Sequence, residues 1–215
     1  MYAATSRTIP SRSRERASYD ADLVHSILDE ALVCHLSFVV DGAPRVLPTL
    51  HVRVDSTLYV HASTGSRPLL LARSEAGLPV CVAVTLLDGL VLGRSQFHHS
   101  VNYRSVVAHG AAHLVTDEPT KRAVLHALVE KVATGRTADS RPPNAQELAK
   151  TAVLALPLAE VSAKARTGGV NDEPEDYALP YWAGVVPMRV APGRPVPDAG
   201  IPDEVPAYLT AAFRP

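Results

Sequence analysis

Between residues 33 and 115, turn signals cut the chain into short apolar segments, and this spacing limits the fold more than any other feature. VCHLSFVV (33–40) ends at Asp41-Gly42, a dipeptide suited to a two-residue hairpin. Ala43-Pro44-Arg45 opens the next segment, which continues through RVLPTLHV (45–52). Proline cannot donate to a sheet ladder, so Pro44 belongs at a strand start and Pro48 at an edge or bulge. Val54-Asp55-Ser56 turns the chain again into TLYVHA (57–62). Further strands are expected at 79–87 and 90–97, separated by Asp88-Gly89, then at 101–115 and 151–165.

Helices interrupt this pattern. Leu23, Val24, Ile27, Leu28 and Ala31 recur at helical spacing behind Ser18 and Asp20, either of which can cap. A second helix starts near Thr116-Asp117, with Val124, Leu125, Leu128, Val129 and Val132 on one face. Ser66 and Pro68 suit a helix start, and Asn144 to Glu147 reads as a capping box. Six or seven strands with two to four helices predict a mainly β fold with α additions, built as a small barrel. We expect a flexible arm over 1–18, one domain over 19–187 and a Pro-rich arm over 188–215.

Hydrophobic residues make up 47% of the chain, which supports a packed core. The formal net charge of -1 argues against a nucleic-acid or anionic-membrane partner. No apolar run approaches the roughly 18 residues that span a bilayer. The N-terminus lacks an apolar signal core, so a cytoplasmic protein is expected. Cys34 and Cys81 lie in apolar runs and read as reduced core thiols, a disulfide between them being the alternative. Neither zinc spacing nor a GxSxG elbow occurs, and no metal site is expected.

Four stretches carry possible chemistry. In STGSRP (63–68) a strand ends and a helix begins, leaving free N–H groups beside the hydroxyls of Ser63, Thr64 and Ser66 and the charge of Arg67. A phosphate fits there, although an ordinary capped loop fits as well. In FHHSVNYRSV (97–106), alternation puts Ser100, Asn102 and Arg104 on one face, Tyr103 and Ser105 on the other. Such polar side chains suit either a ligand or a solvated edge. Arg45, Pro48 and Thr49 interrupt an apolar strand, as a ligand-facing strand or a plain edge strand would. The stretch 165–184 is polar, then aromatic, and holds the chain's one tryptophan, Trp182, which suits ligand stacking or interface packing.

Taken in order, RVLPT, the GSR loop, FHHSVNYRSVVAHGAAHLV and KARTGGVNDEPEDYALPYWAGVVP resemble the flavin-nucleotide-binding proteins related to pyridoxamine 5′-phosphate oxidase, including their nitroimidazole-resistance-like branch. The resemblance spans about residues 20–190. It implies a split β-barrel that binds FMN at a homodimer interface, with F420 or heme as alternative cofactors of the same barrel type. It implies that Arg45, Pro48 and Thr49 line the isoalloxazine and that Ser63, Ser66 and Arg67 hold the phosphate, with His61 and Thr64 beside them. Asn102, Tyr103, Arg104 and Ser105 would hold the flavin partly from the facing subunit, with Ser100 next to them and Trp182 near the opening.

A flavin-dependent oxidoreductase acting on a small molecule follows from this likeness, with a non-catalytic flavin binder as the alternative. If a proton donor is needed, His51, His98 and Tyr103 are the candidates. Pro68 stands where the oxidases often carry a basic residue, and the segment after Pro187 does not match their C-terminal substrate-phosphate segment. Oxidation of pyridoxamine phosphate itself is therefore not expected.

Overall fold

A computed structural model describes residues 1–201 and 204–211, with the side chains of 67, 69 and 211 left aside. Nine antiparallel strands form one sheet: β1 (Ala17–Ser18), β2 (Val33–Val40), β3 (Ala43–Val54), β4 (Thr57–Ser63), β5 (Leu78–Leu92), β6 (Ser100–Leu114), β7 (Thr151–Pro157), β8 (Glu160–Arg166) and β9 (Gly184–Pro187). Their order is β1-β8-β6-β7-β4-β3-β2-β5-β9, and β5 also pairs with β6. Strands β6, β7, β4, β3, β2 and β5 therefore close a six-strand ring, with β8, β1 and β9 attached to it.

The ring encloses a core of alternating apolar side chains, among them Leu36, Phe38, Leu58, Val60, Val82, Val84, Val106 and Leu154. Helix α1 (Ala21–Glu30) plugs one end with Val24, Ile27 and Leu28. The Asp20 carboxylate accepts from Leu23 N–H at 2.8 Å and so fixes where α1 starts. Helix α2 (Arg67–Leu71) follows β4, and α3 (Glu118–Val132) packs Val124 and Leu128 on Val52 and Val153 outside the barrel. Val129 and Val132 stay exposed, so α3 buries less of its apolar face than the spacing suggests. Helix α4 (Ala145–Lys150) carries the expected Asn144–Glu147 capping box.

The nine strands differ from the expected six or seven in three ways: two expected strands merge into β5, one splits into β7 and β8, and β1 and β9 are added. Asp88-Gly89 is not a hairpin turn: β5 runs straight through it with a bulge between Leu87 and Gly89. A Cβ on Gly89 would lie 3.1 Å from Val185 and 3.2 Å from the Val186 carbonyl, so glycine serves the close approach of β9. The segment 151–165 splits into β7 and β8 at a tight turn where Leu158 N–H reaches the Ser56 carbonyl at 2.8 Å. By contrast, Asp41 (φ 51°) and Gly42 (φ 76°) do form the hairpin read from the sequence.

Cys34 faces the barrel interior and Cys81 the outer surface, and both are free thiols. Cys81 is only partly buried, so it is not a core residue. Residues 1–18, read as a flexible arm, run along β8 through the β1 ladder and an Arg7–Glu160 ion pair. At the other end, α5 (Ala207–Ala211) carries Tyr208, whose hydroxyl donates to Asp139 at 2.9 Å and accepts from Arg136 at 2.9 Å. Among the described residues no helix is long and apolar enough to cross a membrane.

Candidate functional site

Strand β3 changes partners halfway along. Residues 43–50 pair only with β2, whereas 51–54 pair with β4. The first half therefore keeps an open edge, and Pro44 and Pro48 there are tolerated for that reason. Register with β2 sets the faces: Arg45 and Thr49 lie opposite Phe38 and Cys34 on the inner side, while Pro48 lies opposite His35 on the outer side. So Arg45 and Thr49 share a face and Pro48 does not. Arg45, Val46, Leu47 and Pro48 are all exposed, although inner-facing neighbours on β2 are buried. The barrel is split open at this point.

The far side of that opening is the loop after β4. The β3–β4 ladder ends at His51 and Val60, so Thr49 and Pro48 on β3 and the 61–66 segment after β4 leave the ladder at the same end. Thr64 N–H donates to the Lys150 carbonyl at 3.1 Å, and Ser66 N–H to the Ser63 carbonyl at 2.9 Å. These bonds shape a tight loop before α2. Pro68 fills the first turn of that helix, as its fixed φ favours. The Arg67 backbone opens α2, and its side chain lies outside the described part. His61 points to the outer face with Tyr59, opposite Val153.

Among the described residues four buried side-chain atoms lack a hydrogen-bond partner. Two of them, His61 Nδ1 and Ser66 Oγ, sit at the two ends of this loop. The other two, His51 Nδ1 and Arg94 Nε, belong to side chains in which another nitrogen is bonded. A buried hydroxyl with no partner costs free energy that a bound acceptor or donor would recover.

The β6 residues stand in a different place. β2 and β5 separate β6 from β3, so within one chain Ser100, Asn102, Tyr103, Arg104 and Ser105 do not meet the β3–β4 opening. Asn102 and Arg104 do face inward, and Tyr103 and Ser105 outward, as alternation requires. Their polar groups are already engaged. Asn102 Nδ2 donates to the Gly168 carbonyl at 2.9 Å and its Oδ1 accepts from Arg166. Arg104 is pinned between Asp88, at 2.8 and 3.0 Å, and Glu30 at the end of α1. Its hydrogen bond holds the Glu30 carboxyl below the usual carboxylate range. Ser105 Oγ donates to the Lys164 carbonyl at 3.0 Å, while Ser100 is exposed.

One residue that the sequence did not single out organises the neighbouring loop. Asp172 is buried and accepts from Arg94 N–H at 3.1 Å on both oxygens, and from the Arg94 guanidinium at 3.1 Å. Burial pushes its carboxyl up, but the bonds from Arg94 and the Ser95 N–H outweigh that and hold it below the usual range. Arg94 in turn lies 5.2 Å over the Tyr177 ring. The acidic run DEPED carried a signal, but not which carboxylate would be buried. Trp182 folds back on Gly184, where a Cβ would lie 3.0 Å from the indole, and is otherwise exposed.

Of the proton-donor candidates, His51 is sealed off. It is fully buried, with Nε2 2.9 Å from the Leu28 carbonyl. Burial first, then the Lys131 charge, pushes its pKa down to about 4. Lys131 Nζ donates to the same carbonyl at 2.7 Å and caps the end of α1, and burial brings it down to about 8. His98 pairs with Glu173 at 3.8 Å, and Tyr103 is half-buried on the outer face. Two small clefts measure about 200 Å³ beside Arg7 and Ser162 and about 240 Å³ beside Lys121 and Leu148. Both are smaller than the roughly 300–1,000 Å³ of typical ligand pockets.

Solved structures of known proteins match this fold over all or most of its length. The flavocytochrome Anf3 from Azotobacter vinelandii is 37% identical, with a TM-score of 0.89 over 100% of this chain and 99% of that one. An FAD and heme binding protein from Mycobacterium smegmatis is 33% identical, with a TM-score of 0.86 over 92% of this chain and 97% of that one. No curated protein matches. The pyridoxamine 5′-phosphate oxidase family matches residues 20–165, and the chain belongs to that family.

Proposed function

We propose that this protein is a flavin-binding redox protein that works as a homodimer and also carries heme. The observation that carries the flavin reading is the opening between β3 and the 61–66 loop, with Ser66 Oγ buried and unpartnered beside it. Ser66, Ser63 and Thr64 would hold the flavin phosphate, and Arg45 and Thr49 would present their shared face to the ring. Leu47 supplies apolar cover on that same face. The cofactors supply the electron chemistry, and the protein supplies binding, orientation and access.

Sequence resemblance alone pointed to FMN. The 33% identical relative is described as binding FAD and heme, and the 37% identical one as a flavocytochrome, which favours FAD with heme here. The homodimer reading rests on the outer face of β2 and β3, where Val33, Val39 and Val46 are exposed apolar side chains. The free Cys34 and Cys81 suit a reducing cytoplasm.

The absorption spectrum of the purified protein, with the mass of the flavin released on denaturation, tests this. Flavin and Soret bands together, with released FAD, are expected. FMN release would keep the flavin reading and restore the mononucleotide. A colourless protein that takes up neither FAD, FMN nor hemin overturns the reading.

A further inference from the structure

After β9 the chain leaves the barrel. Met188 N–H donates to the Asp88 carbonyl at 3.0 Å, and this bond and the β9–β5 ladder fix the near end of the C-terminal arm. Residues 189–201 are exposed apart from Pro195, and Pro192, Pro195 and Pro197 stiffen them. Val205, Tyr208 and Leu209 are half-buried again, so the arm meets the body of the protein a second time at α5.

The place where it lands is built by other residues. The Glu130 carboxylate, in the last turn of α3, accepts from Gly135 N–H at 2.7 Å and from Thr137 N–H at 2.9 Å, and the Thr137 hydroxyl donates to it as well. The Gly135 bond first, then those from Thr137, bring this carboxyl down to about 2, so it stays ionised near neutral pH and keeps the turn folded back on α3. Gly135 has φ 91°, in the left-handed region that glycine adopts freely. None of these bonds involves the arm.

Tyr208 fits the surface that this turn presents. A Cβ on Gly135 would lie 3.2 Å from the Tyr208 Cβ and 3.4 Å from the first atom of its ring, so the glycine also makes room for the tyrosine. Arg136 and Asp139 pair at 3.3 Å. The Tyr208 hydroxyl bridges them, accepting from the guanidinium and donating to the carboxylate, each at 2.9 Å. A group that both donates and accepts is needed there. A phenyl ring does neither, an ammonium only donates and a carboxylate only accepts.

We propose that the C-terminal arm is a strap with a releasable latch: Tyr208 seats in the 133–139 turn and leaves it while the barrel, α3 and the turn stay folded. The latch is a surface contact made by one side chain and a single helical turn, and such elements open at the least cost. The near anchor is a strand of the sheet and does not open with it.

Amide hydrogen exchange of the full-length protein, followed residue by residue by NMR, tests the strap. Leu209 and Thr210 N–H are bonded to the Pro206 carbonyl at the start of α5, and one helical turn does not hold on its own, so their protection reports docking. In wild type they should be protected, but less than amides in β4. Tyr208→Phe keeps the ring and loses both hydroxyl bonds. Protection of Leu209 and Thr210 should fall about tenfold, with Gly135 and Thr137 protection and the thermal midpoint unchanged. Tyr208→Ala, which also empties the space beside Gly135, should lower it further. Leu209 and Thr210 unprotected in wild type, or equally protected in wild type and both variants, overturns the latch. Loss of Gly135 and Thr137 protection in Tyr208→Phe, or a lowered midpoint, makes the arm part of the folded body and overturns its independent release.

Discussion

The two groups of polar residues that the sequence pairs as one site behave oppositely in the fold. Along β6, Asn102, Arg104 and Ser105 each have partners inside the chain. At the β3 opening, Ser66 Oγ and His61 Nδ1 are buried with none, and one edge of β3 is unpaired. Satisfied polar groups hold a scaffold together; unsatisfied ones beside an opening are poised for a ligand. The difference separates residues whose loss should cost stability from residues whose loss should cost cofactor.

The largest expected effect belongs to the sealed side. Asp172→Ala leaves Arg94 without its buried carboxylate and should cost about 3 kcal/mol, a fall of roughly 6–12 °C in thermal midpoint, with flavin affinity unaltered in the folded fraction. Calorimetry with a flavin titration below the transition checks both parts. A comparable loss comes from acid. His51 has its folded pKa near 4, below the ordinary value of 6.5. The unfolded chain therefore takes the proton first, and stability falls as pH drops from about 6.5 towards 4, by up to about 3 kcal/mol. Urea unfolding at stepped pH should show that decline, and His51→Gln should flatten it.

Smaller effects discriminate more finely. Arg104→Ala should cost about 2 kcal/mol of stability, kept modest because Glu30 is half exposed, and leave flavin binding alone. Weaker flavin binding without loss of stability in Arg104→Ala would erase the contrast between the regions. Ser66→Ala should do the reverse. It removes an unsatisfied buried hydroxyl, so the cofactor-free protein keeps its midpoint, while flavin binding weakens by about 1.5 kcal/mol.

How far the sequence could be read follows the range of the interactions involved. Asp41-Gly42 makes its hairpin through its own backbone preferences, and Asp20 and Asn144 cap through bonds to the next turn, so all three were visible locally. Asp88-Gly89 has the same letters as a turn, yet β9 packs on Gly89 from the far end of the chain and keeps β5 continuous. The short strands β1 and β9 exist only through such distant pairing. In the site, the 63–66 loop was legible because strand, loop and helix start are contiguous. The engagement of Arg104 was not, since Glu30 and Asp88 come from separate elements. The burial of Asp172 was equally hidden, because it depends on a hairpin end formed some eighty residues earlier.

The central claim is that flavin is held beside β3 by the 61–66 loop. Titration of cofactor-free protein with FAD, followed by flavin fluorescence, tests it most directly when wild type, Ser66→Ala and Arg104→Ala are compared. Saturable binding in wild type, roughly tenfold weaker binding in Ser66→Ala and wild-type affinity in Arg104→Ala are the predicted results. Equal affinity in wild type and Ser66→Ala, with the loss confined to Arg104→Ala, would contradict the account and move the cradle to β6.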